Sequence, residues 1–528
     1  MRAIPFVRWI ANAAAHLTGP HGAVTDEARQ SGCSRQCVYD HAQKVLAAVE
    51  TAHLGGPTRE ELIRDHEALR RENVQLWDWL FQTIEFPRAK QQEFAVTALA
   101  MGLSLSQIFV LLAILLGTSA CPSRSTVHRW VQAAATAAGH VLKQLDRSCQ
   151  ALVLVGCLDE IFFHRRPVLV GVEPHSMVWF LGKKADNCQG STWFGALKPW
   201  SSLRSVVCDA GSGLQAGIAQ FQQDRRASET DPVPLEKSLD VFHTKQEAQR
   251  VLKTTWNRME RLWEQAEAAS RAVEQAQRQG RDARGLAVTA RTAWKKAAAA
   301  FQRYEAGEAG WKRAEPALSL FRPDGQRNDR SWAEAQVALA LPSMSGPEWS
   351  KVCGLLQSPE SFTFLDQLHG QLSHLSVPDE LRAALVQLWW LRRQRPRNSD
   401  PTALGGYRQA APLVQQVLCQ RIDPNWRESY RQVAAVLGRA VRASSAVECM
   451  NSVLRMHQSR HRTLSQGMLD LKRLYWNTRV FRGGKRRGRC PYEHLGLKLA
   501  SSCFWSLIQD EMITAIGEAK AKAKVKAA

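Results

Sequence analysis

The stretch that most restricts the fold is Ala151-Leu-Val-Leu-Val-Gly-Cys-Leu-Asp159, followed by Glu160-Ile-Phe-Phe-His-Arg-Arg-Pro167 and a second apolar run, Val168-Leu-Val-Gly-Val172. Short, apolar, β-branched runs of this kind read as buried strands. They put a sheet inside a chain whose remaining pattern is helical. The first run ends on a carboxylate, and a buried charge is costly unless something compensates it. Asp159 therefore either caps a turn into the next strand or belongs to a site.

Strand patterning continues to about residue 243. Strands are expected near 151–159, 166–173 and 176–183, at Arg204-Ser-Val-Val-Cys-Asp209, and at Ser238-Leu-Asp-Val-Phe-His243. A short helical or irregular piece spans Trp193 to Trp200, and Ala210-Gly-Ser-Gly turns tightly into a helix. Three strands, a helical piece, a strand, a helix and a strand imply a mixed five-stranded sheet with helices on its faces.

At 528 residues the chain exceeds one core, and three or four domains are expected. Residues 1–56 hold a first helix-turn-helix, read over 22–50. Thr25-Asp-Glu-Ala starts one helix with an N-cap and an acidic first turn, Ser31-Gly32 breaks it, and Ser34-Arg-Gln-Cys-Val-Tyr-Asp-His41 starts a second. Arg35, Gln36 and Tyr39 then take the positions that meet base edges in a major groove. A small helical hairpin without DNA contact is the alternative. Residues 57–89 carry a long amphipathic helix, read over 57–85. Leu62, Leu69 and Leu76, with Leu80 half a heptad on, form a stripe suited to dimerisation or to packing on the chain itself. Residues 90–148 hold a second helix-turn-helix. Gly117-Thr-Ser-Ala-Cys-Pro makes its turn, Ser123 its cap, and Arg124, His128 and Arg129 its exposed first turns.

The sheet, whose first part occupies 149–243, is interrupted by an all-helical insertion at 244–440. Its first half reads as two long antiparallel helices broken at Gln279-Gly-Arg-Asp-Ala-Arg-Gly285. The core resumes over 441–500 with Ser444-Ser-Ala-Val-Glu448-Cys-Met-Asn-Ser-Val-Leu-Arg455. Spacings of three and four put Glu448, Asn451 and Arg455 on one helical face. Residues 501–528 are a C-terminal helix and a low-complexity Lys/Ala tail.

Net charge is +21 and the pI near 9.8. Such an excess points to nucleic acid first and an anionic membrane second. It is uneven: from Cys449 onward there are 16 Lys/Arg against 5 Asp/Glu, including Arg460-His461-Arg462 and Lys485-Arg486-Arg487. The most apolar stretch, Ile108 to Leu116, is too short for a span of about 20 residues, so no membrane partner is expected. The early charges of Met1-Arg-Ala-Ile-Pro-Phe-Val-Arg8 do not read as a signal peptide. Twelve scattered Cys fit a reducing, cytoplasmic setting. Cys33, Cys37 and His41 have a zinc-like spacing, but no second ligand pair follows at a suitable distance. The 18 Trp exceed core needs and point to stacking or interface roles for some.

Asp159 and Asp209 stand at strand ends, and Glu448 follows the insertion. If the first and fourth strands are neighbours, both Asp side chains meet at one edge, and a helix across it delivers Glu448. Three clustered carboxylates repel one another unless a divalent cation lies among them. An oxygen-only donor set suits Mg²⁺ or Mn²⁺.

This order of strand-Asp, strand-Asp, helical insertion and helix-Glu resembles the DDE transposases, whose catalytic core has the RNase H-like fold of retroviral integrases. The bacterial insertion-sequence branch, with Mutator- and hAT-like features, is the nearer likeness. The residues that carry it are Asp209-Ala-Gly-Ser-Gly-Leu214, Asp240-Val-Phe-His243, Val447-Glu-Cys-Met-Asn-Ser-Val-Leu-Arg455, Arg460-His-Arg462 and Tyr475-Trp-Asn477. The likeness covers about 150–500. It implies Asp159, Asp209 and Glu448 as ligands of two Mg²⁺ or Mn²⁺ ions, with Asp240 and His243 as a supporting or strand-positioning pair. Glu160 could replace Asp159, though strand alternation turns it to the other face. The resemblance further implies a nucleoid-associated bacterial enzyme that binds duplex DNA at element ends and in the target. It would pair ends as a homodimer or higher oligomer, then cut and join strands. A nuclease that cuts without joining and an inactive DNA-binding derivative are the alternatives.

Overall fold

The computed structural model describes residues 5–53, 58–83, 86–228, 234–394, 403–460, 464–499, 501 and 503–514. The chain divides into two compact units, Met1–Pro87 and Arg88–Ala528.

The first unit contains α1 (Phe6–Leu17), α2 (Ala23–Gln30), α3 (Arg35–His53) and α4 (Arg59–Thr83). The expected helix-turn-helix is α2 and α3, and α1, packed against both, makes it a three-helix cluster. Small side chains let these helices approach: Ala13, Ala28, Val38 and Ala42 are buried. His41 completes this core. It stacks on Trp9 at 4.5 Å and lies 2.7 Å from the Asn12 amide through Nδ1. It also lies 3.6 Å from the Cys37 sulfur through Nε2. Gly22, in the left-handed region at φ +99°, admits the chain to α2 two residues before the expected start. Thr25 is thus inside the helix and not its cap. Ser34 does cap α3, accepting from the Cys37 N–H at 3.2 Å. On α4, Leu62, Leu69 and Leu76 are 49%, 64% and 50% exposed among the described residues. The side chain of Leu80 lies outside the described residues.

The second unit opens with α5 (Arg88–Met101), α6 (Leu105–Leu116) and α7 (Arg124–Gln150). Ser104 and Gln107 form a capping box at the start of α6, and Ser123 caps α7. Then come β1 (Val155–Phe163), β2 (Arg166–Val172), β3 (Trp179–Lys184), α8 (Gly190–Leu197), β4 (Ser205–Cys208), α9 (Ser212–Ser228) and β5 (Glu236–Leu239). The insertion is α10 (Val241–Arg278), α11 (Arg284–Ala314), α12 (Arg330–Ala340), α13 (Ser350–Gln357), α14 (Thr363–Ser373), α15 (Asp379–Gln394), α16 (Ala403–Ile422) and α17 (Trp426–Arg439). After it come α18 (Ser445–Gln458), α19 (Gln466–Thr478) and α20 (Pro491–Leu495).

The protein is mostly helical with one open, mixed sheet in the order β3-β2-β1-β4-β5. β1, β2 and β3 pair antiparallel, whereas β4 runs parallel to β1 and β5 parallel to β4. Three boundaries differ from those read in the sequence. Ala151 ends α7 and Leu152 closes the turn, its N–H donating to the Cys149 carbonyl, so β1 starts later and runs through Asp159 to Phe163. The β2–β3 turn is held by Glu173, whose carboxylate accepts from the N–H groups of His175 and Ser176, which delays β3 to Trp179. β5 ends at Leu239 because Asp240 accepts from the Phe242 N–H and caps α10.

α18 lies across β1 and β2, and α19 against β3. Cys157, Val168, Val170, Val172 and Val207 from the sheet meet Met450, Leu454 and Trp476 in one apolar layer. Asn477 fixes α19 on β3, accepting from the Trp179 N–H and donating to its carbonyl. The α10–α11 pair is antiparallel, since Trp256 meets Tyr304 while Trp263 meets Trp294 further along. Among the described residues, no helix is long and apolar enough to cross a membrane.

Candidate metal centre

β1 carries Asp159 in its interior, opposite Val170 of β2. It was expected at the strand's end, yet it is buried within the sheet. Its two oxygens are nevertheless satisfied: Oδ1 accepts from the Glu160 N–H at 2.8 Å, and Oδ2 from Asn451 Nδ2 at 2.6 Å. Asn451 reaches it because α18 turns one face to the sheet, burying Val447, Met450, Asn451 and Leu454. One turn earlier, on the rim of that face, sits Glu448.

The third member comes from α10. Asp240 is buried at its N-cap, and His243 stands three residues on, in the first turn. His243 Nδ1 donates to Asp240 Oδ2 at 2.6 Å, and Nε2 faces Glu448 Oε1 at 3.6 Å. Ser444, just before α18, donates its hydroxyl to the same Asp240 oxygen. His243 was expected at a strand end; the Asp240 cap makes it helical and points its second nitrogen at Glu448.

Asp159, His243 and Glu448 each offer a ligand atom within 4.8 Å of the others. Among the described residues this is the group of three or more metal-ligating side chains with mutually close donors, and Cys33, Cys37 and His41 do not form one. Asp209 is not a member either. It directly follows β4, whose Cys208 pairs with Leu158, so its backbone is in register with Asp159. Its Oδ1 accepts from the Gly211 N–H at 3.0 Å, closing the turn into α9.

Burial pushes the Asp159 carboxyl up to about 6, and the charges of Asp209 and Glu448 add to it against the Glu160 N–H. Burial likewise lifts Glu160 to about 7, helped by Asp209 and Asp159. One Glu160 oxygen is buried without a hydrogen-bond partner. The Asp240 hydrogen bond holds the His243 imidazole up at about 9. Burial raises Asp240 itself, but the hydrogen bonds from His243, Ser444 and the Phe242 N–H outweigh it and leave it below the usual carboxylate range. Without a metal, then, an imidazolium sits between two carboxylates. Two carboxylates and an imidazole whose far nitrogen is fixed by an acid can also hold a divalent cation. The imidazole departs from the expected oxygen-only set and suits a transition metal better than Mg²⁺.

The remaining candidate residues are spread over the fold. Arg455 lies 3.8 Å from Glu448 on the open side of α18. Arg35, Gln36 and Tyr39 are exposed at the start of α3, and Arg124, His128 and Arg129 at the start of α7. Arg460 donates to the Gly102 carbonyl, bridging α18 to the end of α5, while His461 and Arg462 lie outside the described residues. Lys485 and Arg487 are exposed, but Arg486 donates to the carbonyls of Pro174 and His175 and so fixes the β2–β3 turn. Ser444 was not singled out in the sequence; a serine just before a helix looks like any cap.

No known protein family matches the chain, and no curated protein is similar to it.

Proposed function

We propose that the protein is a DDE-type DNA transposase with an RNase H-like catalytic core. One observation carries the reading: Asp159 from the sheet and Glu448, delivered by a helix after a long insertion, bring their carboxylates together with His243. The sheet order and the strand directions support it, as does Asp209 in register beside Asp159.

On this reading Asp159, Glu448 and His243 hold Mn²⁺ or Mg²⁺, and Asp209, which follows the strand beside β1, would join them when DNA is bound. The bound cation would polarise the scissile phosphate and favour attack by water or a 3′-hydroxyl. Asn451 donates to Asp159 and fixes its orientation, Asp240 orients His243, and Arg455 stands where it can meet a phosphate. Arg35, Gln36, Tyr39, Arg124, His128 and Arg129 would engage the element ends, and Lys485 and Arg487 the backbone, a salt-sensitive contribution. The exposed heptad stripe of α4 would join two copies.

The test is cleavage and joining of DNA carrying the element's own ends with Mg²⁺ or Mn²⁺, for wild type, Asp159→Asn, Asp209→Asn and Glu448→Gln. Activity should vanish in all three while end binding persists. Cutting without joined product would favour a nuclease. Undiminished cutting by the variants would eliminate this centre.

A further inference from the structure

The helical insertion contains a cleft of about 860 Å³ between the segment before α12, α15, the start of α16 and the end of α17. Its size is that of a small-molecule site. Its lining combines two features. Phe321, Trp389, Trp390 and Tyr407 supply aromatic surface, and six Lys and Arg face one carboxylate, Glu315.

The aromatic surface is held in place. Phe321 stacks on Trp389 at 5.6 Å, and Arg393 lies 4.3 Å over the Trp389 ring. Trp390 lies over Gly325, where φ is +84° and an added Cβ would come within 2.6 Å of the ring. Tyr407 is 64% exposed. The cations are not all neutralised. Lys245 pairs with Glu315, Lys312 with Glu308 and Arg322 with Asp329. Arg393, Arg408 and Arg442 have no carboxylate within ion-pair distance among the described residues. Arg442 is the most telling, because it is half-buried and, among the described residues, its guanidinium donates to the Leu318 carbonyl and to no carboxylate. A desolvated cation without a counter-charge fits an anionic ligand. Its own carbonyl accepts from the Val241 N–H, two residues before His243, which ties the cleft to the first turn of α10.

We propose that this cleft binds an unpaired nucleotide, its base on Trp390 and Tyr407 and its phosphate toward Arg442 and Arg408. Stacking on aromatics flanked by cations is the chemistry by which unpaired bases are held. The nucleotide is either free or part of a separated DNA strand. A paired base could not reach such a cleft without leaving its stack. The inference does not depend on the metal centre.

Full-length protein in EDTA is titrated against fluorescein-labelled oligothymidylate, the same sequence as a duplex, and ATP. Variants are Tyr407→Ala, Arg408→Glu, Trp390→Ala and the conservative Trp390→Phe. Tyr407 and Arg408 are at the surface, so their variants keep the fold even if Trp390→Ala does not. Oligothymidylate should bind and weaken roughly tenfold in Tyr407→Ala and Trp390→Ala, with Trp390→Phe near wild type. An oligonucleotide bearing 5-iodouracil should photo-cross-link to Tyr407 or Trp390. The same variant sensitivity with ATP would assign a free nucleotide, and its restriction to the oligonucleotide a DNA strand. Binding that ignores every variant, or no binding by single strand or ATP, overturns the proposal. EDTA keeps this outcome separate from failure of the metal-dependent reaction.

Discussion

His243 donates to Asp240 through Nδ1 at 2.6 Å, leaving its Nε2 3.6 Å from Glu448. An acid behind one ring nitrogen is the arrangement that orients a metal-bound imidazole. Asp240→Asn keeps the shape and the helix cap but removes the charge. Mn²⁺ affinity measured by calorimetry should fall about 10- to 100-fold. An unchanged affinity would show that His243 is not a ligand.

The same groups set a pH dependence. His243 is held at about 9 and Asp159 at about 6, and both must lose their protons to bind a metal. Mn²⁺ binding should therefore strengthen from pH 5.5 to pH 9 and release protons. In the metal-free protein the sign reverses. The folded value for His243 lies above its ordinary 6.5, so its stabilisation is complete below that value and is lost as pH rises through about 9. Thermal unfolding of wild type and His243→Gln should differ most at pH 6 and converge near pH 10. A constant difference would contradict the Asp240 pairing.

Asn451 supplies a donor to a buried carboxylate. Asn451→Leu leaves Asp159 short of that bond, at a cost of about 1–3 kcal/mol when the carboxyl is ionised. Because Asp159 titrates near 6, the loss should shrink at pH 5, where the group is largely neutral. Urea unfolding at pH 5 and pH 8 compares the two, and equal losses would assign Asn451 a packing role only.

Arg473 is buried and donates to both oxygens of Asp146 and to the Phe180 carbonyl, joining α7, α19 and β3. Arg473→Leu strands a half-buried carboxylate and should cost about 3–5 kcal/mol. Adding Asp146→Leu should recover part of that loss. If the double variant is no more stable than the single one, the pair is not the source of the effect.

The basic segment after α19 divides by contact. Lys485→Ala and Arg487→Ala should each lower the salt slope of duplex binding by about 1 without changing stability. Arg486→Ala should instead lower the melting temperature, since that guanidinium holds the carbonyls of Pro174 and His175. Salt titrations and melting curves on the three variants separate the two roles.

Local order was legible in the chain itself. The helix start at Ser34, the cap at Ser123, the break after Arg278 and the apolar strands all follow from interactions a few residues apart, which composition and period record. That the first and fourth strands are neighbours was only a condition in the sequence reading, and the parallel pairing of β1 with β4 supplies it. The sequence also placed Glu448 and Asn451 on one helical face, because α-helical spacing is periodic. Where strands began and ended was less legible: Asp159 lies inside β1, because the β1–β2 hairpin continues to Phe163. Only the tertiary structure decided that Asn451 meets Asp159 and that His243 meets Glu448. Those contacts cross the whole insertion, and no local periodicity encodes them. They exist because α18 buries an apolar face on β1 and β2 while the Asp240 cap sets the direction in which α10 leaves the sheet. The pairing of carboxylates with an imidazole is thus a property of packing, written in the sequence only as its separate parts.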